Sequence, residues 1–505
     1  MDERTIQTEP AEGVGSSRPV HLGRVPAQPG WMDRHWRPRS PRASRPVVLW
    51  AVGAALLGAW ALPLEVPGAG WTVAALGVAT ALLALGRTAR ANWWWLLLGV
   101  ALMTLPTLRA ASWLTALAVL GAGVALAASV SRGRAARDLV WAPVFYGAAV
   151  FRAVPWAGRG LKHVGGGQGG VRVTRTVVLS LLVLLVFGGL LAGADSDFAD
   201  LIDVVLPAVD GESLVLSAWV FAVLLALVLA GSFLLDSPVD APEPDRPRRT
   251  VRVAEWAWPV GVLVALFAAF VATQVRSLFG GEGHVLRTAS LTYAEYARSG
   301  FWQLLMVTAL TLAVIGVVAR VAPRETAGER LWLRSVLGVL VVLALVIVAS
   351  ALVRIWVYQG AYGYTLLRLL VSVAELWMAV LFVLVLVAGA RRRAPWLPSA
   401  VVGSALVALL ALGLLDPERF IAERNVARFA ETGRLDVHHL STLMADAVPA
   451  LAALPEPQRS CLLSQQLAEL EADERLTEWN LGRERARRAL AEVDVDLARA
   501  CSSAR

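Results

Sequence analysis

Charged residues are scarce in this sequence, and that scarcity argues against a soluble protein of the same length. Only 17% of the 505 residues are Asp, Glu, Lys or Arg, and 57% are hydrophobic. Soluble domains carry about 25% charged residues. Lysine is nearly absent, since Lys162 is the only one. The net charge of +8 comes from arginines spread between apolar runs, so we expect no nucleic-acid partner.

Motifs of catalysis and of metal binding are also missing. The sequence has no HExxH, GxSxG or CxxC pattern, which argues against a zinc protease, a serine hydrolase and a dithiol enzyme. His438 and His439 are consecutive, so on a helix they point about 100° apart and do not share one metal ion. We therefore expect no enzyme activity, no cofactor and no metal site.

Apolar runs are what the sequence has in abundance, and each is close to the ~20 residues that cross a bilayer core as a helix. Backbone groups find no water in that core, so helices are the expected form. We predict an all-α, polytopic transmembrane helix bundle over residues 46–415. Its eleven predicted spans are 47–62, 71–86, 93–108, 113–130, 176–194, 213–235, 256–275, 301–319, 332–353, 366–388 and 398–415.

Arginine placement sets the predicted orientation, because cytoplasmic loops of membrane proteins carry more Lys and Arg than external loops. With the N-terminus inside, 29 basic residues fall on cytoplasmic segments, 6 on external loops and 12 in the C-terminal tail. Residues 1–45 are polar and rich in Pro, Arg and Ser, which is typical of a disordered cytoplasmic tail. An odd number of spans then places the C-terminus outside.

One apolar segment, residues 139–158, is not counted as a span. It contains Pro143, Arg152 and Pro155, and counting it would turn the later arginine-rich loops outward. We predict an interfacial or re-entrant helix on the cytoplasmic side.

The composition changes at residue 416, where a tail of 90 residues with 16 acidic side chains begins. We predict that residues 416–505 form a small, soluble, extracytoplasmic helical domain. Asp416 is expected to cap its first helix, with Pro417 in the first turn. That helix is expected to end near Gly433, and Asp436 is expected to cap the next one.

The only two cysteines, Cys461 and Cys501, both lie in this tail. An oxidising compartment outside the cytoplasm favours a disulfide between them. Two buried free thiols are the alternative, which would require the tail to be cytoplasmic.

Five of the six tyrosines fall in two predicted external loops, residues 276–300 and 354–368. These loops also hold five of the six external arginines, against the usual bias. One interpretation is an interfacial belt at the depth of the lipid headgroups. The other is a polar cluster that seals the external mouth of the bundle or binds an anionic group. The candidate residues are Arg276, Tyr293, Glu295, Tyr296, Arg298, Arg354, Tyr358, Tyr362, Tyr364 and Arg368.

Glu375 is the one carboxylate well inside a predicted span. A carboxylate in hydrocarbon is costly, so it is expected to be neutral or paired and to face the protein interior. Arg368, seven residues earlier on nearly the same helical face, and Arg354 are the expected partners. A structural bond between helices and a proton or substrate site both remain open.

Five stretches together resemble a family of bacterial polytopic membrane proteins, domain of unknown function 4173 or its close neighbour. They are FVATQVRSLFGG (270–281), SLTYAEYARSGFWQLL (290–305), SALVRIWVYQGAYGYTLLR (350–368), LDPERFIAERNVAR (415–428) and GRLDVHHLSTLMADAVPAL (433–451). The resemblance covers roughly residues 180–490. It implies a many-helix core with a helical tail in the bacterial cytoplasmic (inner) membrane, and it implies no activity.

These stretches coincide with the predicted external loops and the start of the tail. We therefore expect the tail to pack over the external mouth of the bundle. Arg424, Asn425 and Asp446 are expected to face the tyrosine loops.

Three functions fit a multi-pass protein of the lipid bilayer without catalytic motifs. The first, which we expect, is a non-enzymatic envelope scaffold or sensor whose helical tail contacts an extracytoplasmic protein partner. The second is a transporter or flippase that uses Glu375 and the external arginines, although no inverted repeat is visible. The third is a lipid-linked transferase that uses acidic residues of the predicted external loop 194–212.

Overall fold

Helices are the only regular secondary structure in the described part of the chain. A computed structural model describes residues 39–63, 66–131, 136–164, 211–237, 251–279, 301–391, 394–470 and 474–493, together with Phe187 and Leu191. These residues form α-helices and one 3-10 turn, with no β-strand among them. The predicted all-α class is confirmed. Nearly all of the predicted N-terminal tail, span 176–194 and loop 194–212 lie outside the described residues.

Thirteen described helices precede the tail. They are α1 (Arg45–Ala61), α2 (Ala69–Leu85), α3 (Arg87–Ala91), α4 (Trp93–Leu102), α5 (Leu105–Leu108), α6 (Ser112–Val130), α7 (Ala136–Val164), α8 (Gly211–Asp236), α9 (Val253–Phe279), α10 (Phe301–Val321), α11 (Ala327–Tyr362), α12 (Leu366–Ala390) and α13 (Leu397–Leu414). By length and composition, α6 to α13 are eight helices that can cross a membrane, and α1, α2 and the α4–α5 pair are shorter apolar helices. The chain is therefore a polytopic membrane bundle.

The longest helix, α11, extends well beyond the predicted span 332–353. It covers 36 residues, begins with a capping box between Thr326 and Glu329, and ends at Gly363, whose φ is 83°. At 1.5 Å per residue, α11 is about 54 Å long, against a hydrocarbon core of ~30 Å. Tyr358 and Tyr362, which were predicted in an external loop, therefore lie on the last turns of a helix.

Several helix connections gather at one end of the bundle, which we call the tail end because the C-terminal tail packs there. The N–H of Ala69, at the α1–α2 connection, donates to Trp479 O at 3.0 Å. Asn480 Nδ2 donates to Pro106 O at 2.7 Å beside the α5–α6 connection. The tail thus lies beside helix connections that the arginine distribution predicts on the external side of the membrane.

The opposite connections meet at the far end of the bundle. Asn92 Nδ2, between α3 and α4, donates to Ser131 O after α6 at 3.0 Å. Ser40 Oγ, before α1, donates to Asp236 Oδ1 at the end of α8 at 3.0 Å. The connections from α1 to α6 therefore alternate between the two ends of the bundle. The total number of spans and the side that faces the cytoplasm stay predictions.

The helix α7 contains the segment 139–158 and runs unbroken for 29 residues. It is long and apolar enough to be a span. However, residues near the start and near the finish of α7 both contact the far end of the bundle. Leu139 shares a core cluster with Ala128, and a Cβ on Gly160 would stand 2.5 Å from Ala43 O. This geometry favours the predicted interfacial placement, which stays a prediction.

The tail is also helical. It contains α14 (Pro417–Thr432), α15 (Val437–Leu440), a 3-10 turn (Ala445–Ala447), α16 (Val448–Leu451), α17 (Gln458–Leu470) and α18 (Leu481–Ala491). Gly433, with φ at 66°, ends α14 as predicted. Asp436 caps α15, because its Oδ1 accepts from the N–H of His439 at 3.0 Å.

The hydrophobic core of the tail is continuous with that of the bundle. Leu369 of α12 and Leu412 of α13 belong to the same buried cluster as Ile421 and Leu451 of the tail. Burial of apolar surface stabilises by about 25 cal/mol per Å², so this shared cluster helps to hold the tail on the bundle.

Candidate functional site

Arg109 is the centre of the polar contact between bundle and tail. It lies in the α5–α6 connection and is only 8% exposed. Its Nε donates to Gly413 O at 2.8 Å, and its Nη2 donates to Leu414 O at 2.9 Å. The last carbonyls of a helix lack intrahelical donors, so Arg109 satisfies the C-terminal end of α13.

The remaining terminal nitrogen of Arg109 pairs with the first residue of the tail. Arg109 Nη1 donates to Asp416 Oδ2 at 2.5 Å, and both side chains are nearly buried. Asp416 stands at the predicted N-cap position of α14, but its backbone is left-handed with φ at 60°. This conformation costs a non-glycine residue about 1–2 kcal/mol, and the buried ion pair holds Asp416 in it.

Asp446 of the tail binds the backbone just before α6. Its Oδ2 accepts from the N–H of Ala110 at 2.7 Å and of Ala111 at 3.3 Å. Ala111 is the N-cap residue of α6, and the helix dipole favours a negative group at that position. A side chain of the tail thus caps a helix of the bundle.

Two further buried tail residues reach the same region. Glu418 accepts from Trp113 Nε1 at 3.1 Å and from the N–H of Met444 at 2.6 Å. Asn480, which is fully buried, donates to Pro106 O and also to Arg109 O at 2.8 Å. We refer to the following five residues as the interlock: Arg109, Asp416, Glu418, Asp446 and Asn480.

Burial dominates the electrostatics of the interlock. Burial, followed by the nearby carboxylate of Asp416, raises the pKa of Asp446 from 3.8 to about 7. Burial also raises the pKa of Asp416 and of Glu418, while Arg109 partly opposes the rise at Asp416. Asp446 Oδ1 is buried and has no hydrogen-bond partner among the described residues. The docked tail is therefore favoured when Asp446 is protonated.

The structure brings three of the candidate tyrosine-loop residues together. The guanidinium of Arg368 lies 4.4 Å from the ring centroid of Tyr358, whose own ring lies 4.9 Å from that of Tyr362. Arg368 also donates to the carbonyls of Tyr362 at 3.2 Å and of Gly363 at 2.5 Å. Arg368 also donates to Tyr358 Oη at 3.3 Å, so it closes the C-terminal end of α11.

Tyr364 lies apart from that cluster and faces the tail, as expected. Its ring packs edge-on against Phe420, with centroids 5.8 Å apart. Asn425 accepts from the N–H of Tyr364 at 3.1 Å and donates to Tyr364 O at 2.8 Å. Asn425 therefore faces the tyrosine turn as predicted, whereas Arg424 lies over Phe420 and Asp446 faces the α5–α6 connection instead.

Glu375 is fully buried on α12, and the expected pairing is absent. Neither of its oxygens has a hydrogen-bond partner among the described residues. Arg354 instead donates to Gln274 Oε1 at 2.9 Å, where Ser350 also donates at 3.2 Å. The guanidinium of Arg368 is occupied instead by the carbonyls of Tyr362 and Gly363 at the end of α11.

The other predicted site residues are only partly described. Cys461 is buried at 3% exposed and is not a free thiol, whereas its predicted partner Cys501 lies outside the described residues. The side chain of Arg276 is also outside them, as are Tyr293, Glu295, Tyr296 and Arg298. Among the described residues, no group of three His, Cys, Asp or Glu side chains is placed to hold a metal ion.

Comparison with known proteins gives a family but no function. A family model described as Domain of unknown function (DUF4153) matches residues 96–454. The chain belongs to this family. The match supports a family of unknown function, as the five stretches suggested, but not number 4173 specifically. No curated protein matches the chain, and no solved structure matches it.

The range matched to the family contains most of the interlock, including Arg109 and Asp446, but it ends before Asn480. Sequence reasoning singled out Asp416 and Asp446 but missed Arg109. One signal was available, since Arg109 is the lone basic residue of a short predicted external connection. Such a residue is unexpected on that side of a membrane protein.

Proposed function

We propose that this family member is a non-enzymatic scaffold or sensor of the bacterial inner membrane. Its tail would lie on the extracytoplasmic side and contact another protein. The observation that carries the proposal is the interlock, because five buried polar side chains fix the tail in one orientation on the bundle. A fixed tail presents a preorganised surface, and preorganisation lowers the cost of binding.

The exposed apolar side chains of the loop before α18 support this loop as the contact surface. Leu476 is 92% exposed and Trp479 is 41% exposed. The loop between them is held on the bundle, because the N–H of Gly70 donates to Thr477 O at 2.8 Å and Arg483 donates to Pro67 O at 3.1 Å. Exposed aromatic and aliphatic residues on a rigid support are typical of binding hot spots.

The test is site-specific photo-crosslinking in living cells. A photoreactive residue at position 476 is expected to give one discrete protein adduct, and adding Trp479→Ala is expected to remove it. The same photoreactive residue at Glu431, which is exposed on α14, serves as the control and is expected to give no such adduct. Absence of an adduct at 476, or equal adducts at both positions, would contradict the scaffold proposal.

Transport is the second candidate function, and Glu375 is the observation in its favour. A fully buried carboxylate without a described partner is costly in a membrane, and such residues often serve proton or substrate movement. If the chain is a proton-coupled transporter or flippase, Glu375→Gln should abolish flux in reconstituted vesicles while leaving the thermal unfolding midpoint high. Glu423→Gln, in an exposed ion pair of α14, is the matched control. Unchanged flux in Glu375→Gln would exclude this role.

A further inference from the structure

A groove runs along the outside of the bundle between α4 and α13. Its volume is about 590 Å³, and its walls include Trp94, Leu97 and Ala101 on one side and Trp396, Gly403 and Val407 on the other. Leu97 and Val407 are 56% and 54% exposed, so the groove is open to the surrounding lipid. From Trp396 to Leu410 the groove follows α13 for about 21 Å at 1.5 Å per residue. This exceeds the ~15 Å of one leaflet in a hydrocarbon core of ~30 Å, so the groove is long enough for one acyl chain.

At Gly403 the two walls leave a space only because this residue has no side chain. A Cβ on Gly403 would stand 3.6 Å from the ring of Trp94. Any larger side chain would project into the space between α4 and α13. The groove is lined mainly by apolar side chains, and its length along α13 suits an extended hydrocarbon chain.

Positive charge is concentrated where the groove reaches the far end of the bundle. The guanidinium of Arg391 lies 5.6 Å from the ring centroid of Trp396, and Arg334 Nη2 donates to Arg391 O at 3.4 Å. Near the other wall, the exposed Arg90 lies in α3 and precedes Trp94 by four residues. The sequence has no Asp or Glu in residues 66–137 or 376–415, so no acidic residue of these segments balances the arginines.

Trp396 also supplies an unused donor at this end. Its indole Nε1 is buried and has no hydrogen-bond partner among the described residues. Buried indole N–H groups usually find a partner, and a small rotation of the Trp396 side chain would offer this N–H to an oxygen of a lipid phosphate or ester. Basic sites between transmembrane helices are known to bind anionic headgroups.

We propose that the α4–α13 groove binds one acyl chain of an anionic phospholipid, with the lipid phosphate at Arg391 and Trp396. An apolar partner helix from a second copy would need no arginine at the mouth. The charge at the far end therefore favours the lipid as the occupant. This inference is independent of the proposed scaffold function.

Native mass spectrometry of the full chain tests the proposal, with phosphatidylglycerol and phosphatidylcholine of identical acyl chains as probes. The wild type is expected to retain phosphatidylglycerol at least tenfold better than phosphatidylcholine. Gly403→Leu fills the groove and is expected to reduce retention of phosphatidylglycerol by tenfold or more. Gly316→Leu is the control, because Gly316 of α10 has open space around it and should bind like the wild type.

Arg391→Gln provides a second variant that leaves the packing intact, since Arg391 is exposed. It is expected to abolish the preference for phosphatidylglycerol over phosphatidylcholine. Equal retention of the two lipids by the wild type would overturn the proposal. A second result would also overturn it. If the wild type is a dimer and Gly403→Leu is a monomer that still retains phosphatidylglycerol, the groove holds a second copy of the chain and not a lipid.

Discussion

Asp446 shows how one buried carboxylate controls the contact between tail and bundle. Its Oδ2 is satisfied by two backbone N–H groups before α6, but its Oδ1 has no described partner. Burial therefore outweighs the hydrogen bonds and raises its pKa to about 7. An acid whose pKa is raised on folding stabilises the docked state when it is protonated. This stabilisation is complete below its ordinary pKa of 3.8 and is lost as the pH rises through about 7.

We predict that docking of the tail weakens as the pH is raised from 5 to 8, and that Asp446→Asn reduces this dependence. Asparagine keeps an oxygen for the two N–H groups but does not ionise. Burial also raises the pKa of Asp416 and of Glu418, so these two groups act in the same direction as Asp446. The measurement is the thermal unfolding midpoint against pH, with Glu423→Gln as an exposed control. A wild-type midpoint that rises from pH 5 to pH 8 would contradict the prediction.

The pairing of Glu375 could not be predicted from spacing. Arg368 lies seven residues before Glu375, close to the same helical face, and the sequence therefore suggested an ion pair. In the structure, the carbonyls of Tyr362 and Gly363 take the guanidinium of Arg368. Those carbonyls end α11, and their need for donors becomes visible only when α11 is known to reach Tyr362.

Helices were the most predictable part of the molecule, because apolar runs and end signals are local. Ten of the eleven predicted spans coincide with described helices, and α14 ends where Gly433 predicts. The helix α11 is longer than its predicted span, because it continues through the polar residues after its apolar run and ends only at Gly363. The interfacial placement of α7 depends on contacts between distant helices and therefore cannot be decided from its own sequence.

The backbone of the loop before α18 packs directly against Gly68. A Cβ on Gly68 would stand 2.3 Å from the backbone oxygen of Glu478, and a backbone atom cannot rotate away. We predict that Gly68→Ala displaces this loop from the α1–α2 connection and costs about 1–3 kcal/mol, as overpacking does. Limited proteolysis near residue 476 should become faster in this variant.

The control for that prediction is Gly53→Ala, because nothing lies within 4 Å of a Cβ on Gly53. Alanine also has a higher helix propensity than glycine, so Gly53→Ala is expected to match or exceed wild-type stability. Equal proteolysis of the two variants would show that the α1–α2 connection does not hold the loop.

At the scale of the whole molecule, the side of the membrane that carries the tail follows from the arginine distribution. We predict that protease added to intact cells removes part of residues 416–505, and that the α7 region is cut only after the cells are opened. Detection requires one epitope tag at the C-terminus and another before residue 39. Cleavage of the tail only in opened cells would invert the predicted orientation.

The interlock could not have been predicted from the sequence, because it joins residues that are about 300 positions apart. Arg109 and Asp416, for example, are separated by 307 residues. Each alone has an ordinary local interpretation, as a loop arginine and as a helix cap. Their pairing becomes visible only in the structure, where the α5–α6 connection, the end of α13 and the tail contact one another.

Hydrogen–deuterium exchange of the Arg109→Ala protein in lipid nanodiscs tests most directly whether the tail is fixed to the bundle. Removing one partner of a buried ion pair costs about 3–5 kcal/mol. We therefore predict at least tenfold faster exchange in α14 and in the α5–α6 connection, with α10 unchanged. The control is Arg419→Ala, which removes an exposed ion pair from α14 and should exchange like the wild type. Unaltered exchange of α14 in Arg109→Ala would contradict a tail held in place by the interlock.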